Sequence, residues 1–178
     1  FARAGGILAI NNIIKEKLVR RFNLPPEKIL VRPNGIDIDF FNISESKEEA
    51  KTKLGLPTDK KLIIYAGQFV EWKGMDIFND LAVRIDRETL IYLLGGTKEE
   101  FLKLTKIKKA SENIIFAGKK PYHEMPLWQK AADVNVVLGT KRDTYSYYHT
   151  SPMKLYEHLS AKVPVVASKT PAVSDMVS

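Results

Sequence analysis

The chain has 178 residues, of which 44% are hydrophobic, so it can bury one substantial core or one core with a short appended segment. It has no cysteine, which excludes disulfides, thiolate metal sites and a cysteine nucleophile. No apolar run approaches the roughly 18 residues of a transmembrane helix. The net charge of +7 suits nucleic acid, a membrane surface or an anionic small molecule, although most lysines lie in segments typical of solvated surface.

The first third of the chain predicts short elements separated by strong breaks. They are an apolar run over residues 7–10, a helix over 12–22, a strand over 28–32, a turn at 33–35 and a helix over 46–54. Asn11 is a candidate N-cap for the first helix, and Pro25 and Gly55 follow the ends of the two helices. Because the sequence starts at Phe1 and has no visible secretory signal, we expect a piece of a longer, cytoplasmic protein.

From residue 60 onward, apolar strands and amphipathic helices alternate. The strands are predicted over residues 62–66, 90–94, 113–117, 134–138 and 164–167, and the helices over 75–84, 98–109, 123–131, from 152 and from 172. In the first of these helices Ile77 is expected to face the core. This alternation is typical of a parallel sheet with right-handed crossovers. We therefore predict an α/β protein with a Rossmann-like, three-layer parallel sheet.

The helix after Ser151 is the strongest local signal for a ligand. Ser151 is the predicted N-cap, and Pro152 is predicted to occupy the first helical position, where its missing N–H costs no hydrogen bond. The unpaired amides and positive dipole of such a helix start lie beside His149 and Thr150, so this end of the helix is a potential anion site.

The same helix is predicted to have two faces. Leu155 and Leu159 are expected to face a core, whereas Lys154 and Glu157 lie on the opposite side. The alternative interpretation is an ordinary amphipathic helix whose Lys–Glu pair faces solvent. This stretch alone does not decide between the two.

Three loops are candidates for the functional site, because ligands of open parallel sheets bind beyond the carboxyl ends of the strands. Residues 67–74 carry two glycines and Lys73 just before a helix, but they match neither a P-loop nor a G-x-G-x-x-G motif. Residues 118–123 could line a base or simply cap a helix. Residues 140–151 are predicted to be an unusually long, aromatic and basic loop.

Several motifs, in the right order, resemble one family. Residues 32–37 resemble its P-N-G-V-D junction, and residues 67–74 resemble its G-R-L…K-G phosphate loop. Residues 132–134 followed by 151–168 resemble its closing A-D-V…E-A-M-A…P-V-V-A segment, in the S-P-x-K-L-F-E-Y-M-A-A variant of one branch. On these motifs the chain resembles the C-terminal, donor-binding domain of a GT-B glycosyltransferase, most like the retaining enzymes of family 4 (glycosyl transferases group 1).

The resemblance implies two domains. Residues 1–32 would be a remnant of the N-terminal, acceptor-binding domain together with the interdomain connection. Residues 33–178 would be the Rossmann-like domain that binds the nucleotide sugar, truncated at its C-terminus. Such a piece is expected to bind nucleotide but not to catalyse transfer by itself.

The resemblance also implies roles for individual residues. Lys73 would contact the nucleoside diphosphate and Glu157 would accept hydrogen bonds from the ribose hydroxyls, so both should line one cleft. His149 is predicted to complete the catalytic set by approaching the donor sugar, although the resemblance gives it no role and a surface histidine is the alternative. The implied donor-binding residues are Gly67, Gln68, Gly74, Gly118, Lys119, Thr150, Ser151, Pro152, Met153 and Lys154. Two positions depart from the pattern: Gln68 stands where the family has arginine, and His149 stands where it often has the first of two glutamates.

The implied substrate is a UDP-, GDP- or ADP-linked sugar. Hexosyl transfer leaves negative charge on the β-phosphate, which helix amides and Lys73 would stabilise without a metal ion or another cofactor. No metal site is expected, and Asp133 is interpreted as structural. The implied acceptor is a carbohydrate or a lipid-linked sugar held by the missing domain, which allows peripheral contact with the cytoplasmic face of a membrane. Nucleic acid is not an expected partner.

Other functions fit the residues less well. A GT-B epimerase or phosphorylase would share this architecture. A basic nucleic-acid-binding or noncatalytic nucleotide-binding module is the alternative from a different class, but the aromatic residues cluster in one loop instead of alternating with basic residues across a sheet. A hydrolase is disfavoured because G-x-S-x-G is absent and the three histidines lack zinc-ligand spacing.

Overall fold

Two parallel sheets organise the chain, which the computed structural model describes over residues 3–177, apart from the side chains of residues 175 and 176. The strands are β1 Ile7–Ala9, β2 Ile29–Val31, β3 Lys61–Ala66, β4 Thr89–Leu94, β5 Ile114–Gly118, β6 Val134–Val137 and β7 Val165–Ala167. The helices are α1 Asn12–Phe22, α2 Ile38–Phe41, α3 Lys47–Lys53, α4 Ile77–Ala82, α5 Lys98–Thr105, α6 Met125–Lys130, α7 Thr144–Tyr148, α8 Met153–Ser160 and α9 Pro171–Val177. None of these helices is long and apolar enough to cross a membrane.

The larger sheet has the strand order β5-β4-β3-β6-β7, and all its pairings are parallel. The chain builds outward from the central strand β3 to β5 and then crosses back to place β6 on the other side of β3. Sheets of this kind bind ligands near such a reversal, beyond the carboxyl ends of the strands, and here the reversal lies between β3 and β6. The predicted α/β class and Rossmann-like sheet are confirmed.

Alternate residues of β3 pack into two cores, one on each face of the sheet. Leu62 and Ile64 join Trp128 in one core, whereas Tyr65 joins Phe101 in the other. Helices cover both faces, which is why β3 is an uninterrupted apolar run rather than an alternating one. The predicted three-layer arrangement follows from this packing.

Local capping explains where several helices start. Ser46 and Thr97 each begin a helix with a capping box, in which the side chain of the glutamate three residues on accepts a hydrogen bond from the cap residue's own amide. Asn11 accepts a hydrogen bond from the Ile14 amide at 2.8 Å. The helix predicted over residues 12–22 therefore has the predicted bounds and the predicted N-cap.

The N-terminal segment forms a small β–α–β unit. β1 and β2 pair in parallel, and the unit buries Ala9 and Ile29 under α1. Asn11 joins this unit to the larger one, because its side-chain amide donates to the carbonyl oxygens of Tyr148 and Thr150, both at 3.2 Å. The segment before α8 is thus held by a residue from the start of the chain.

Two helices are shorter than predicted. α4 covers six residues of the predicted 75–84 helix, and Ile77, which was expected to face the core, is exposed. α5 ends well before residue 109, because Lys106 adopts a left-handed backbone with φ 60°. A residue with that φ cannot continue a right-handed helix.

Two helices lie where none was predicted. The stretch 140–151 contains α7, which Asp143 caps by accepting a hydrogen bond from the Ser146 amide at 2.7 Å. The short helix α2 is capped in the same way by Asp37, which accepts from the Phe40 amide at 3.1 Å. The prediction of a long loop over 140–151 is therefore wrong, because an aspartate cap makes one helical turn stable there.

Candidate functional site

A cavity of about 310 Å³ opens at the carboxyl ends of β3, β4 and β5. Its lining comes from the loops after these strands and from α6 and α8: Ala66, Gly67, Gln68, Leu94, Gly95, Lys119, Lys120, Tyr122, Met125 and Lys154. The charged side chains of this lining are all lysines. A larger cavity, of about 700 Å³, lies beside Arg87 and Asn113 at the amino ends of β4 and β5, opposite the edge where open parallel sheets bind ligands.

Backbone hydrogen bonds join the three strand ends that form the cavity. The Gly67 amide donates to the Leu94 carbonyl at 3.0 Å, and the Gly95 amide donates to the Gly118 carbonyl at 2.8 Å. Gly95 has φ 117°, and a Cβ atom on it would lie 2.2 Å from the Gly67 carbonyl oxygen. Only glycine allows this approach, so the Gly95 position determines how loop 67–74 sits over the cavity.

Lys73 does not line this cavity. It ends a 3₁₀ turn over Glu71–Lys73, and its Nζ lies 4.4 Å from the centroid of the Trp72 ring. Partial burial lowers the pKa of Lys73. Gly74 follows with a left-handed φ of 70°. The expectation that Lys73 and Glu157 line one cleft is not met, because the cation–π contact directs the ammonium towards Trp72.

Helix α8 starts later than predicted. Pro152 is its N-cap residue, with an extended backbone, and Met153 is the first helical residue. Ser151 does not cap the helix; its hydroxyl instead accepts a hydrogen bond from the Asn34 amide at 3.3 Å. Thr150 donates its hydroxyl to the Ser146 carbonyl at 3.3 Å. The Ser151 prediction is wrong because its hydroxyl accepts from a distant amide and Pro152 holds the cap position, so α8 has no side-chain cap.

Glu157 lies inside the protein, behind Lys154. Its side chain is 2% exposed, and Oε2 accepts hydrogen bonds from Lys154 Nζ at 2.8 Å and from Gln129 Nε2 at 3.3 Å. The alternative of a solvent-facing Lys–Glu pair is therefore wrong. Leu155 is buried as predicted, whereas Leu159 is 50% exposed and does not face a core.

Sequence reasoning missed three buried polar residues, one each on α6, β6 and α8. Gln129, Asn135 and His158 are fully buried, and Asn135 donates to the Gln129 carbonyl at 3.0 Å. Both ring nitrogens of His158 lack a partner among the described residues. Burial and the nearby Lys154 lower the pKa of His158 to about 3. The available signal was a polar residue inside the apolar strand β6, at Asn135.

Residues 118–123 present an aromatic side chain to the cavity. Tyr122 stacks on Phe40 with ring centroids 5.2 Å apart and an interplanar angle of 10°. Its pKa is raised by burial and by the negative charges of Glu157 and Asp37. Lys120 Nζ lies 5.1 Å from the centroid of the Trp128 ring. The backbone before it turns at Gly118, which has a φ of 70°. Lys119 is exposed at the rim.

His149 faces the N-terminal segment. Its Nε2 lies 2.7 Å from Lys17 Nζ, and burial together with Lys17 lowers the pKa of His149. A protonated lysine can donate only to a neutral imidazole, so the histidine acts here as an acceptor. Asp133, interpreted as structural, accepts hydrogen bonds from Lys47 at 2.5 Å and from the Leu62 amide at 2.9 Å.

Comparison with known proteins places this geometry in a family. The family model of glycosyl transferases group 1 matches residues 46–178, which is more than half of the chain. TuaC of Bacillus subtilis, named as a glycosyltransferase of teichuronic acid biosynthesis, is 26% identical over 182 residues, covering 99% of this chain and 42% of that protein. A D-inositol 3-phosphate glycosyltransferase of Xylanimonas cellulosilytica is 24% identical over 147 residues, covering 76% of this chain and 35% of that protein. The chain thus spans less than half the length of these relatives.

The fold has solved counterparts. The crystal structure of Anabaena HepE in complex with UDP-glucose matches 98% of this chain and 48% of that one, with a TM-score of 0.74 and 18% sequence identity. At that identity the similarity shows the fold, which is that of GT-B glycosyltransferases. Because the family model covers β3 to β7, and with them every loop of the candidate cavity, the chain belongs to the glycosyl transferases group 1 family.

Proposed function

We propose that this chain is the donor-binding part of a retaining glycosyltransferase and binds a nucleoside diphosphate sugar at the carboxyl ends of β3, β4 and β5. The observation that carries this proposal is a lysine-lined cavity beside a buried carboxylate. Lys154 lines the cavity, and its Nζ lies 2.8 Å from Glu157 Oε2. Ammonium groups suit a diphosphate, and a carboxylate suits the vicinal hydroxyls of ribose. One place therefore offers both kinds of partner that a nucleoside diphosphate needs.

The diphosphate is proposed to lie between the Gly67–Gln68 backbone and the start of α8. No side chain caps the first turn of this eight-residue helix. Its Leu155 amide donates to the Pro152 carbonyl at 2.9 Å, which leaves the amides of Met153 and Lys154 for a phosphate oxygen. Lys73 is proposed to turn from Trp72 towards the β-phosphate when the ligand binds. Burial disfavours the charged form of Lys73, and a nearby anion would favour that form again.

The base is proposed to border residues 118–122, where the ring of Tyr122 is 57% exposed and held in place by Phe40. An exposed, positioned aromatic ring is a surface on which a base can stack. Crystal structures of Anabaena HepE contain UDP and glucose, or UDP-glucose, which makes uridine the first base to test.

The proposed reaction transfers a hexosyl group and leaves the nucleoside diphosphate. As the bond between the sugar carbon and the β-phosphate oxygen breaks, negative charge grows on that oxygen. Amides at the start of α8, together with ammonium groups that turn towards that oxygen when the donor binds, would stabilise the charge, and the proposed mechanism uses no cofactor or metal ion. His149 is proposed to approach the donor sugar from the border with the N-terminal segment, where its imidazole contacts Lys17.

The acceptor is proposed to bind outside this chain. The chain spans 42% of TuaC, and the candidate cavity already accounts for the donor. We therefore propose that residues 1–32 belong to the acceptor domain, that the isolated chain binds nucleotide without transferring sugar, and that the acceptor is a carbohydrate or a lipid-linked sugar. The whole protein is proposed to work in the cytoplasm, with peripheral membrane contact when its acceptor is lipid-linked.

Thermal unfolding in the presence of UDP, GDP or ADP tests the proposal. A ligand at about 100 times its Kd adds about 2.7 kcal/mol of stability, so the correct nucleotide should raise Tm by several degrees. Lys73→Ala and Glu157→Ala should reduce that rise. Lys103→Ala, which removes an exposed lysine of α5, is the matched control and should leave it unchanged.

Several results would contradict the proposal. One is that none of the three nucleotides raises Tm. Another is that both site variants keep the full rise, which would place the nucleotide elsewhere. Binding of a single-stranded oligonucleotide as tightly as UDP would favour the nucleic-acid alternative. Steady sugar transfer by the isolated chain would contradict the proposed division between donor and acceptor domains.

A further inference from the structure

We propose that Lys154 changes partners when the donor binds. In the free protein its ammonium neutralises Glu157; in the bound state it contacts the diphosphate, while the ribose hydroxyls donate to Glu157 in its place. This inference rests on the proposed function. The family has an arginine in loop 67–74 where the chain has Gln68, and Lys154 would supply the positive charge that is missing there.

The position of Lys154 supports an exchange of this kind. Its side chain is 34% exposed and lines the cavity, whereas Glu157 is 2% exposed and lies behind it. The ammonium therefore separates the carboxylate from the cavity. A diphosphate entering the cavity meets the lysine first, and the carboxylate is reached only when the lysine moves.

Glu157 is arranged to accept a new donor. Both of its hydrogen bonds, from Lys154 and from Gln129, reach the same oxygen, Oε2. The other oxygen, Oε1, accepts no hydrogen bond from a described residue. It is also not among the described polar atoms that are both fully buried and unpaired. Oε1 therefore keeps some access to solvent and can accept a hydroxyl, while Gln129 holds Oε2 after Lys154 leaves.

The other cationic side chains near the cavity are less suited to this role. Lys73 lies over Trp72, outside the lining, and Lys120 lies over the Trp128 ring at 5.1 Å. Lys119 is exposed at the rim. Lys154 is the lysine of this lining that is held by an ion pair, so its ammonium is positioned before the ligand arrives.

Electrostatics gives the exchange a direction. A buried carboxylate without a partner is costly, so Glu157 needs Lys154 as long as no ribose is present. An unneutralised carboxylate would also repel an incoming diphosphate. Once the ribose hydroxyls donate to Glu157, the lysine can pair with the phosphates, which carry more charge than a single carboxylate.

Titration with UDP and with uridine tests the exchange, because uridine has the ribose but no phosphate. Lys154→Met keeps most of the unbranched side chain and removes the ammonium group with its charge. It should weaken UDP binding by about 10- to 100-fold, the factor expected for one charge-assisted hydrogen bond, and uridine binding by less than about threefold. Lys154→Arg should keep most of the UDP affinity, and Lys103→Met should bind both ligands as the natural chain does. If the thermal screen selects another base, the corresponding diphosphate and nucleoside are used.

The outcomes separate the two levels of the proposal. If the natural chain binds none of the three diphosphates, the proposed function itself fails. If it binds UDP and Lys154→Met binds UDP equally well, or loses UDP and uridine by the same factor, the role of Lys154 is overturned. If Lys154→Met does not fold, the double variant Lys154→Met/Glu157→Gln is compared with Glu157→Gln. The double variant should lose preference for UDP over uridine, and an equal preference in the two would overturn the inference.

Discussion

Asn11 holds Thr150 in place from the other end of the chain: its side-chain amide donates to the Thr150 carbonyl at 3.2 Å, and also to the Tyr148 carbonyl at 3.2 Å. The same side chain caps α1 by accepting from the Ile14 amide at 2.8 Å. One buried asparagine therefore starts a helix in the N-terminal unit and fixes the segment that leads into α8. The orientation of α8 at the cavity depends in part on this contact.

Asn11→Ala should destabilise the protein by about 2–3 kcal/mol, because it removes an N-cap and leaves two carbonyl groups without their donor. Asn11→Ser keeps a capping oxygen but is too short to reach Tyr148 and Thr150, so it should cost about 1–2 kcal/mol. Urea unfolding of the three proteins measures the difference. A serine variant as stable as the natural chain would mean that the two long-range hydrogen bonds contribute nothing.

Gly95→Ala should disturb the loop over the cavity. The new Cβ would lie 2.2 Å from the Gly67 carbonyl oxygen, at a residue with φ 117°. Both the clash and the backbone strain destabilise the alanine variant. We therefore expect its free energy of unfolding to fall by about 3 kcal/mol or more and its thermal shift with nucleotide to be smaller. Gly118→Ala is the matched comparison, since Gly118 has φ 70° but nothing within 4 Å of the added carbon. It should cost only about 1–2 kcal/mol, from strain alone. Equal losses in the two variants would contradict the role of the close approach.

Asp133→Asn should make the fold less stable at neutral pH and less sensitive to acid. Burial raises the pKa of Asp133, but hydrogen bonds from Lys47, the Leu62 amide and Lys51 outweigh burial, so its pKa lies below the ordinary value. A carboxyl group with a lowered folded pKa stabilises the protein above its unfolded pKa of about 3.9, and this stability is lost as the pH falls through the folded pKa.

We expect Asp133→Asn to cost about 1–3 kcal/mol near pH 7 and to reduce the loss of stability as the pH falls below the unfolded pKa of about 3.9. Urea unfolding at a series of pH values measures both effects. The exposed Asp59→Asn is the control and should follow the natural chain. If Asp133→Asn loses stability with acid as steeply as the natural chain does, the network around Asp133 is not the source of the acid sensitivity.

His158→Leu should remove a second acid-sensitive contribution. Burial and Lys154 lower the pKa of His158 to about 3, whereas in the unfolded chain it titrates near 6.5. The unfolded state therefore takes up the proton first, so stability falls as the pH drops from about 6.5 towards about 3. Leucine does not titrate, and it removes a buried ring whose nitrogens lack partners among the described residues.

The His158→Leu variant should be at least as stable as the natural chain at neutral pH and should lose less stability, by up to several kcal/mol, between pH 6.5 and pH 3. His123→Leu replaces an exposed histidine and should leave the pH profile unchanged. Denaturant unfolding across this pH range compares the three proteins. Parallel profiles for His158→Leu and the natural chain would show that His158 does not titrate as its burial requires.

Features that depend on neighbours along the chain could be predicted from residue order. The N-cap at Asn11, the helix after Ser46, the uninterrupted apolar strand β3 and the alternation that produces a parallel sheet all follow from local patterns. The motifs at residues 32–37, 67–74, 132–134 and 151–168, taken together and in order, indicated the family whose model matches residues 46–178.

Ser151 shows where local reasoning stops. It has the residue type and the position of an N-cap, but its hydroxyl accepts from the amide of Asn34, 117 residues away. Glu157 and Lys154 show the same limit, since helical spacing puts them together but cannot tell a surface pair from one that lies over Gln129 inside the protein. The burial of Glu157, the direction of the Lys73 side chain and the contact between His149 and Lys17 were also not predicted. Each depends on segments that meet only in the folded protein, because packing between distant segments decides which groups are buried and which hydrogen bonds they make.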